Sequence, residues 1–326
     1  MFHLRKILPL LLLLLAVCRL VAQSTDNCLH RTMTVNVRDS NGNLVPDLPT
    51  TAFHGKLRGK PVTVRSEQVE IGPRRLVMLL DASGSITGSE YTWKIAQLVA
   101  GDIISSASRP NQVALVVFAA QVLDVTNFTS ARMQVLEKLR QLEDGSKAAP
   151  KGKRRTALFD TLTYAADLFG SPMPGDVIYA ITDGGDNISH KTEEDVQTRL
   201  LSKGVRFFAF YMTENNFPTE EERLGPRVLH SLAALTGGAV LDIPNSSLSP
   251  LYDLSPKGRE RMAAQLRYLY DLMVSFYQLE IELPAPVDKQ RHWDLEVVDK
   301  HGKTRKGVSL FYPQELMPGR IEAAKQ

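Results

Sequence analysis

Apolar runs of about six residues alternate with amphipathic stretches through the middle of this chain, and that alternation limits the possible folds more than any other feature. Runs that are apolar throughout suit strands buried on both faces, and the stretches between them have helical periodicity. The predicted strands are residues 75–80, 113–118, 176–182, 206–211 and 239–243. We therefore predict a doubly wound, mostly parallel α/β sheet of the Rossmann-like kind, with residues 122–126 as an antiparallel edge strand.

The two ends of the chain have a different pattern, in which apolar and polar residues alternate. Residues 35–42 (VNVRDSNG) parallel residues 295–302 (LEVVDKHG), since each is an alternating strand that runs into an Asp-x-x-Gly turn. Each end is too short to bury a core by itself. We expect residues 29–72 and 276–313 to form one small β-sandwich. The α/β domain, residues 73–275 with a C-terminal helix, is then inserted between its halves, and residues 314–326 form a tail.

The N-terminus has the composition of a secretory signal peptide. Arg5 and Lys6 precede an apolar core at residues 7–17, which is too short for a membrane span, and residues 20–22 (LVA) are an acceptable cleavage site. We expect residues 1–22 to be cleaved, which gives a secreted, periplasmic or extracellular protein with no transmembrane helix in the mature chain. Two alternatives stay open: an uncleaved anchor, and a lipoprotein modified at Cys18.

Beyond residue 22 the charges balance. The whole chain has 39 Lys and Arg against 36 Asp and Glu, but Arg5, Lys6 and Arg19 precede residue 23. A neutral mature chain gives no general case for binding nucleic acid or a membrane surface. The local exception is a basic segment that contains Lys151, Lys153, Arg154 and Arg155. This segment is either a solvated loop or a cationic rim beside a binding site.

Oxygen-bearing side chains follow two predicted strands at the points where they end. Asp81, Ser83 and Ser85 come after residues 75–80, Asp183 ends residues 176–182, and Thr156 precedes a predicted helix. In open α/β sheets, ligands bind outside the carboxyl ends of the strands. Oxygen-only donors suit a hard divalent cation, so the pattern predicts a site for Mg²⁺ that would also accept Mn²⁺ or Ca²⁺.

With these three segments, DASGS, the Thr of RRTALFD and the Asp of ITDGGDN, the chain resembles the von Willebrand factor type A family over about residues 74–250. The resemblance implies a metal-ion-dependent adhesion site. Ser83, Ser85 and Thr156 would supply hydroxyl ligands, and Asp81 and Asp183 would bind directly or through water. The chain as a whole looks like secreted bacterial proteins of the von Willebrand factor A-related class. Where the family commonly has small residues before its Thr, this chain has Arg154 and Arg155.

These observations predict a secreted, non-catalytic, adhesion-type module of the cell envelope. Its metal would capture an acidic residue of a protein partner, and the basic segment would weaken metal binding or help to hold that partner. Two other functions stay open: a Mg²⁺-dependent hydrolase, and a structural envelope protein with a vestigial site. The hydrolase is disfavoured because the sequence has no G-x-S-x-G, P-loop or H-E-x-x-H motif, and no candidate general base near the ligands.

Overall fold

The computed structural model describes residues 28–71, 75–105, 112–142, 155–212, 219–242 and 255–318. The predicted signal peptide with Cys18, and Lys151, Lys153 and Arg154 of the basic segment, lie outside these residues. Within the described part of the chain, no helix is both long enough and apolar enough to cross a bilayer.

The described residues form fourteen strands and seven α-helices. The strands are β1 (His30–Asp39), β2 (Phe53–Leu57), β3 (Lys60–Ile71), β4 (Arg75–Asp81), β5 (Gln112–Phe118), β6 (Val122–Thr129), β7 (Val177–Thr182), β8 (Arg206–Tyr211), β9 (Val240–Asp242), β10 (Ser275–Glu282), β11 (Arg291–His292), β12 (Asp294–Val297), β13 (Val308–Phe311) and β14 (Glu315–Leu316). The helices are α1 (Gly84–Thr87), α2 (Glu90–Ser105), α3 (Arg132–Arg140), α4 (Leu158–Leu168), α5 (Glu193–Lys203), α6 (Glu220–Thr236) and α7 (Pro256–Val274).

The central part of the chain is a six-stranded sheet in the order β6-β5-β4-β7-β8-β9. All neighbouring strands are parallel except β5 and β6, which are antiparallel at the sheet edge. One apolar core joins the sheet to α2, α3 and α7, and a second joins its other face to α4, α5 and α6. The sheet is therefore covered on both faces, as its uninterrupted apolar strands predict.

Strands from both ends of the chain form a second, antiparallel sheet in the order β12-β2-β3-β10-β1-β13. β10 lies between β3 and β1, so a strand from the C-terminal end bridges two from the N-terminal end. The buried side chains of this unit, among them Val35, Tyr277 and Trp293, form a core of their own. A short two-stranded sheet of β11 and β14 accompanies it.

Helix α7 leads from the central sheet into this second sheet, and buried arginines from both sheets hold its C-terminal end. Arg206 on β8 donates to the carbonyl oxygens of Leu272 and Met273 at 3.2 and 2.7 Å. Arg38 on β1 donates to the carbonyl of Asp271. Guanidinium groups at this position satisfy helix-terminal carbonyls and complement the negative end of the helix dipole.

These features confirm the predicted fold class, a Rossmann-like α/β domain accompanied by an antiparallel β unit built from both ends of the chain. In that β unit, backbone hydrogen bonds between neighbouring strands join six strands into one continuous sheet. The domain bounds 29–72, 73–275, 276–313 and 314–326 stay a prediction.

Candidate functional site

The end of β4 buries a carboxylate at the carboxyl edge of the central sheet. Asp81 is fully buried, and its Oδ1 accepts a hydrogen bond from the backbone N–H of Ser83 at 2.8 Å. Its Oδ2 accepts one from the hydroxyl of Thr182, the last residue of the neighbouring strand β7, at 2.7 Å. The carboxylate is thus held from both sides, since both of its oxygens have fixed partners.

The two serines of this segment converge beside Asp81. Ser83 is the N-cap residue of α1, but its side chain does not cap the helix. Instead, the hydroxyl oxygens of Ser83 and Ser85 lie 3.0 Å apart. An N-cap hydroxyl ordinarily accepts a backbone N–H of its own helix. The Ser83 hydroxyl is instead directed toward the hydroxyl of Ser85.

Asp183 follows β7 in a loop that packs closely against another backbone. Its Oδ1 accepts the N–H of Gly185 at 3.0 Å. Gly184 has a φ of 75°, and a Cβ there would lie 2.8 Å from the Cα of Gly225 on α6. A Cβ at Gly225 would in turn overlap the carbonyl oxygen of Asp183. Only glycine permits this approach at both positions, and the approach fixes the Asp183 loop against α6.

Thr156 is tied to the same loop by its backbone. Its N–H donates to Oδ1 of Asn187, and its carbonyl accepts the N–H of Asn187, both at 3.0 Å. The exposed Arg155 donates from its guanidinium to the carbonyl of Asn187. These hydrogen bonds therefore join the segment that carries Thr156 to the segment that carries Asp183.

A second set of contacts between these segments caps α4 from outside the helix. The N-cap residue of α4, Ala157, provides no side-chain hydrogen bond to the first turn of the helix. In its place, Oδ2 of Asp186 accepts the N–H of Phe159 at 2.8 Å, and the hydroxyl of Ser189 accepts that of Asp160 at 3.0 Å. Carboxylate and hydroxyl oxygens thus satisfy donors of the first turn, as an N-cap would.

Asp160, in the first turn of α4, also accepts hydrogen bonds from the loop that follows Asp183. Its carboxylate accepts the backbone N–H groups of His190 and Lys191 at about 3 Å. Those backbone donors, with the neighbouring imidazole of His190, hold the pKa of Asp160 below its usual value although its partial burial opposes this. The His190 ring is on the surface, as expected of a histidine at the start of a helix.

The electrostatics of the site are dominated by two buried carboxylates. Burial, and secondarily the negative charge of Asp183, raise the pKa of Asp81 to about 7. The hydrogen bonds from Thr182 and Ser83 oppose this rise but do not cancel it. Near neutral pH, the site therefore holds two acidic groups that cannot both ionise without cost.

The match to known protein families falls on this part of the chain. The family model for the von Willebrand factor type A domain matches residues 76–185. The chain contains a von Willebrand factor type A domain. That stretch begins on β4 and ends at Gly185, so it spans all five predicted metal ligands.

Solved structures show more distant likenesses. A von Willebrand factor type A protein from Catenulispora acidiphila is 12% identical and has a TM-score of 0.45, covering 90% of this chain and 74% of its own. An aerotolerance-related membrane protein from Bacteroides fragilis is 15% identical at a TM-score of 0.43, covering 60% and 98%. The manganese-loaded TRAP protein of Plasmodium vivax is 14% identical at 0.40, covering 76% and 96%. No curated protein matches the chain.

The five candidate residues of the von Willebrand factor type A domain come from three segments that the fold brings to one edge of the sheet. Asp81, Ser83 and Ser85 follow β4, Asp183 follows β7, and Thr156 is bonded to the Asp183 loop. All their side-chain donors are oxygens. Among the described residues, no three or more His, Cys, Asp or Glu side chains are placed to hold a metal ion together, so a cation here would rely on hydroxyls as well as carboxylates. A divalent cation fits this donor set, because it would offset the repulsion between the two buried carboxylates.

Sequence reasoning missed several residues that position this site. Thr182 is a polar residue at the end of an otherwise apolar strand, which is a usable signal for a side chain with a function at the sheet edge. Gly225 is an isolated glycine in a helical pattern and marks a close backbone approach. Asn187 is the last residue of the ITDGGDN segment, in which the sequence analysis assigned a role only to Asp183. Its role depends on a contact across 31 residues, which no local pattern reports.

Proposed function

We propose that this protein is a secreted, non-catalytic protein-binding module that uses a divalent cation to capture an acidic residue of its partner. Domains of the von Willebrand factor type A family generally bind proteins and lack catalytic activity, and the chain contains such a domain. The observation that carries the proposal is the pair of buried carboxylates, Asp81 and Asp183, beside the hydroxyls of Ser83 and Ser85.

In this proposal, Ser83, Ser85 and Thr156 hold Mg²⁺, or Mn²⁺ or Ca²⁺, with their hydroxyl oxygens. Asp81 and Asp183 balance its charge directly or through water. Because three of the five donors are neutral hydroxyls, the bound cation stays a good Lewis acid and offers an open position to a carboxylate oxygen of the partner. The protein's own part is to hold these donors in place, through Thr182, Asn187 and the Gly184–Gly225 contact.

The basic segment adds long-range attraction in this proposal. Lys151, Lys153 and Arg154 precede Arg155 in the sequence, and the Arg155 guanidinium is bonded to the carbonyl of Asn187 in the Asp183 loop. Exposed charges at a rim mainly raise association rates, and they do so less at high salt. Export, through cleavage of residues 1–22, would place the site outside the cytoplasm and accounts for the secreted part of the proposal.

Partner capture tests the proposed function directly. Wild-type protein and the Ser83→Ala variant are immobilised and exposed to envelope extract in Mg²⁺, and bound proteins are released with a chelator. We expect chelator-released proteins from the wild type and none from the variant. Equal recovery from both would contradict a metal-dependent function, and so would recovery that the chelator does not change.

A further inference from the structure

A groove of about 1000 Å³ lies between the α/β domain and the antiparallel unit, and none of the five candidate metal ligands lines it. One wall is the first half of β1, including Thr32 and Thr34, and another is α5 with the turn that follows it. Residues 172–174 and 313–318 complete the lining. The volume is at the upper end of the range for ligand pockets, so the groove has room for a short peptide.

In the part of the chain that the structure describes, the β1 edge on this groove has no neighbouring strand along residues 32–35. β10 pairs with these residues on the other edge, whereas β13 pairs only with residues 36–39. If the β13 register continued, Pro313 would lie opposite Thr34. Proline has no N–H, and the Pro313 carbonyl accepts the ring N–H of Trp293 at 2.7 Å. The chain that follows β13 therefore leaves this edge open at Thr34.

The backbone groups of Thr32 and Thr34 are directed toward the open edge. The first residue pair of β1 and β10 is not mutually hydrogen-bonded, since the bond that flanks it joins the N–H of Leu283 to the carbonyl of Leu29 at 2.8 Å. Bonded and non-bonded pairs alternate along an antiparallel ladder, so Thr32 and Thr34 also turn their N–H and C=O groups away from β10. Thr34 is only 5% exposed. Because buried backbone groups without a partner are costly, this edge favours a ligand that can bond them.

The apolar part of the lining indicates which side chains such a ligand would carry. Methionine, proline and leucine side chains contribute to several walls of the groove: Met33, Pro172, Met173, Leu201, Leu316 and Met317. Methionine adapts its shape to irregular apolar partners, and a lining of this kind favours aliphatic side chains on the ligand.

The charged part of the lining favours an acidic ligand over a basic one. Its three carboxylates already have partners in this chain: Asp167 with Arg199, Asp195 with Thr192, and Glu315 with His292. Lys191 and Lys203 also line the groove, and neither forms an ion pair with a described residue. A carboxylate on the ligand would therefore meet cations that have no ion partner, whereas a cation would meet only carboxylates that are already bonded.

We propose that this groove binds an extended segment of a partner polypeptide, which adds to β1 as a strand and carries aliphatic side chains and a carboxylate. Main-chain hydrogen bonds to Thr32 and Thr34 hold the segment, and the lining selects its side chains, as in other cases of strand addition. The inference does not rest on metal-dependent capture, because no candidate metal ligand lines the groove.

Panning a displayed library of random peptides in chelator tests this groove while the candidate metal site is empty. We expect the selected peptides to alternate aliphatic with other residues and to contain more Asp and Glu than Lys and Arg. A selected peptide is then synthesised in two N-methylated forms, one for each alternate set of its residues. One form should bind at least about tenfold more weakly and the other within about threefold of the unmodified peptide, because only one set faces β1.

Hydrogen exchange and a pair of charge variants locate the bound peptide. The peptide should slow the exchange of the Thr32 and Thr34 amides. Lys191→Glu/Lys203→Glu should weaken binding at least about tenfold, since it reverses the charges that face the carboxylate. The control Lys300→Glu/Lys303→Glu makes the same change of charge at an exposed turn outside the groove and should bind within about twofold of wild type. Both variants should keep the wild-type circular dichroism spectrum.

The inference is overturned by a library that yields no peptide, by equal binding of the two N-methylated forms, or by unchanged exchange at Thr32 and Thr34. Equal weakening by both charge variants would overturn it as well. Slow exchange at Thr32 and Thr34 without peptide would assign the edge to a second copy of this chain, or to residues 319–326 if their deletion restores fast exchange, and would also overturn it. Each of these results would leave metal-dependent capture standing.

Discussion

Asp81 has the environment that decides the chemistry of the site. Its carboxylate is fully buried, both oxygens accept hydrogen bonds, and a second carboxylate lies nearby. Burial of this kind makes the charged form costly unless a cation compensates for it. A metal-free protein should therefore show that cost as a dependence of stability on pH.

The predicted direction follows from the raised pKa of Asp81. In the unfolded chain this carboxyl titrates near its model value of 3.8, whereas in the folded chain it titrates at about 7. Between those values the folded state binds more protons, so the free energy of unfolding of the metal-free protein should fall as the pH rises through this window. Thermal unfolding in chelator from pH 4 to pH 8 measures this.

Asp81→Asn provides the control for the pH dependence, because it removes the titrating group. Its melting temperature in chelator should change less between pH 5 and pH 8 than that of the wild type. Mg²⁺ should raise the wild-type melting temperature more at pH 8 than at pH 5, since the cation competes with the proton for the site. A wild type and an Asp81→Asn variant with the same pH profile would contradict this assignment.

At the scale of elements, the site depends on segments that hold one another. The contact of Gly225 with Asp183 predicts that Gly225→Ala weakens Mg²⁺ binding by at least about tenfold, since the new methyl group would displace the Asp183 loop. The matched control is Gly101→Ala, another helical glycine, where a Cβ meets only the Leu139 side chain at 3.8 Å. Alanine favours a helix over glycine by about 1 kcal/mol, so the control should be neutral or stabilised. Calorimetric titration of Mg²⁺ into both variants measures the difference in affinity.

The cap that Asp186 supplies to α4 gives a second prediction at this scale. Asp186→Ala should lower stability by about 1–2 kcal/mol, as loss of a cap does, and should also weaken Mg²⁺ binding because the Thr156 and Asp183 segments separate. Asp195→Ala removes a capping carboxylate from α5, where it accepts the N–H of Thr192 and is not bonded to α4. Asp195→Ala should lower the free energy of unfolding by a similar amount and leave the Mg²⁺ affinity unchanged. Similar metal affinities in the two variants would show that the Asp186 cap is only structural.

The sequence predicted the elements well because their signals are local. The apolar runs located the strands of the central sheet. The start of α7 is also locally encoded, since Ser255 precedes Pro256 and its hydroxyl accepts the N–H of Gly258. The site residues were named from a motif, and the fold brings their segments to one edge. What the sequence could not supply are the contacts between distant segments, such as Asn187 with Thr156 and Gly225 with Asp183. Those depend on how the loops pack.

For the whole molecule, the antiparallel unit depends on both ends of the chain. β1 and β3 do not pair with each other, and each pairs with β10 instead. Arg38 and Arg206 join this unit to the α/β domain through the end of α7. Burial, and secondarily the charge of Arg38, lower the pKa of Arg206 to about 9, so the guanidinium stays protonated at neutral pH.

The pairing of Ile71 with Ser275 predicts that the α/β domain is an insertion into the antiparallel unit. These residues are partners in adjacent antiparallel strands, so a short turn could replace residues 72–274. We expect that shortened chain to give a dispersed NMR spectrum. Residues 29–72 alone should not, because they lack β10. A well-dispersed spectrum from the 29–72 fragment, or none from the shortened chain, would contradict this organisation.

The central claim is that Asp81, Ser83, Ser85, Thr156 and Asp183 bind one divalent cation. Calorimetric titration of Mg²⁺ into the wild type, Asp81→Ala and Ser83→Ala tests it most directly. Ser89→Ala is the control, because the Ser89 hydroxyl caps α2 at the same sheet edge and is not a candidate ligand. The account predicts a single site in the wild type and in Ser89→Ala, and no measurable binding in the other two variants. Equal Mg²⁺ binding by all four proteins, or none by the wild type, would contradict it.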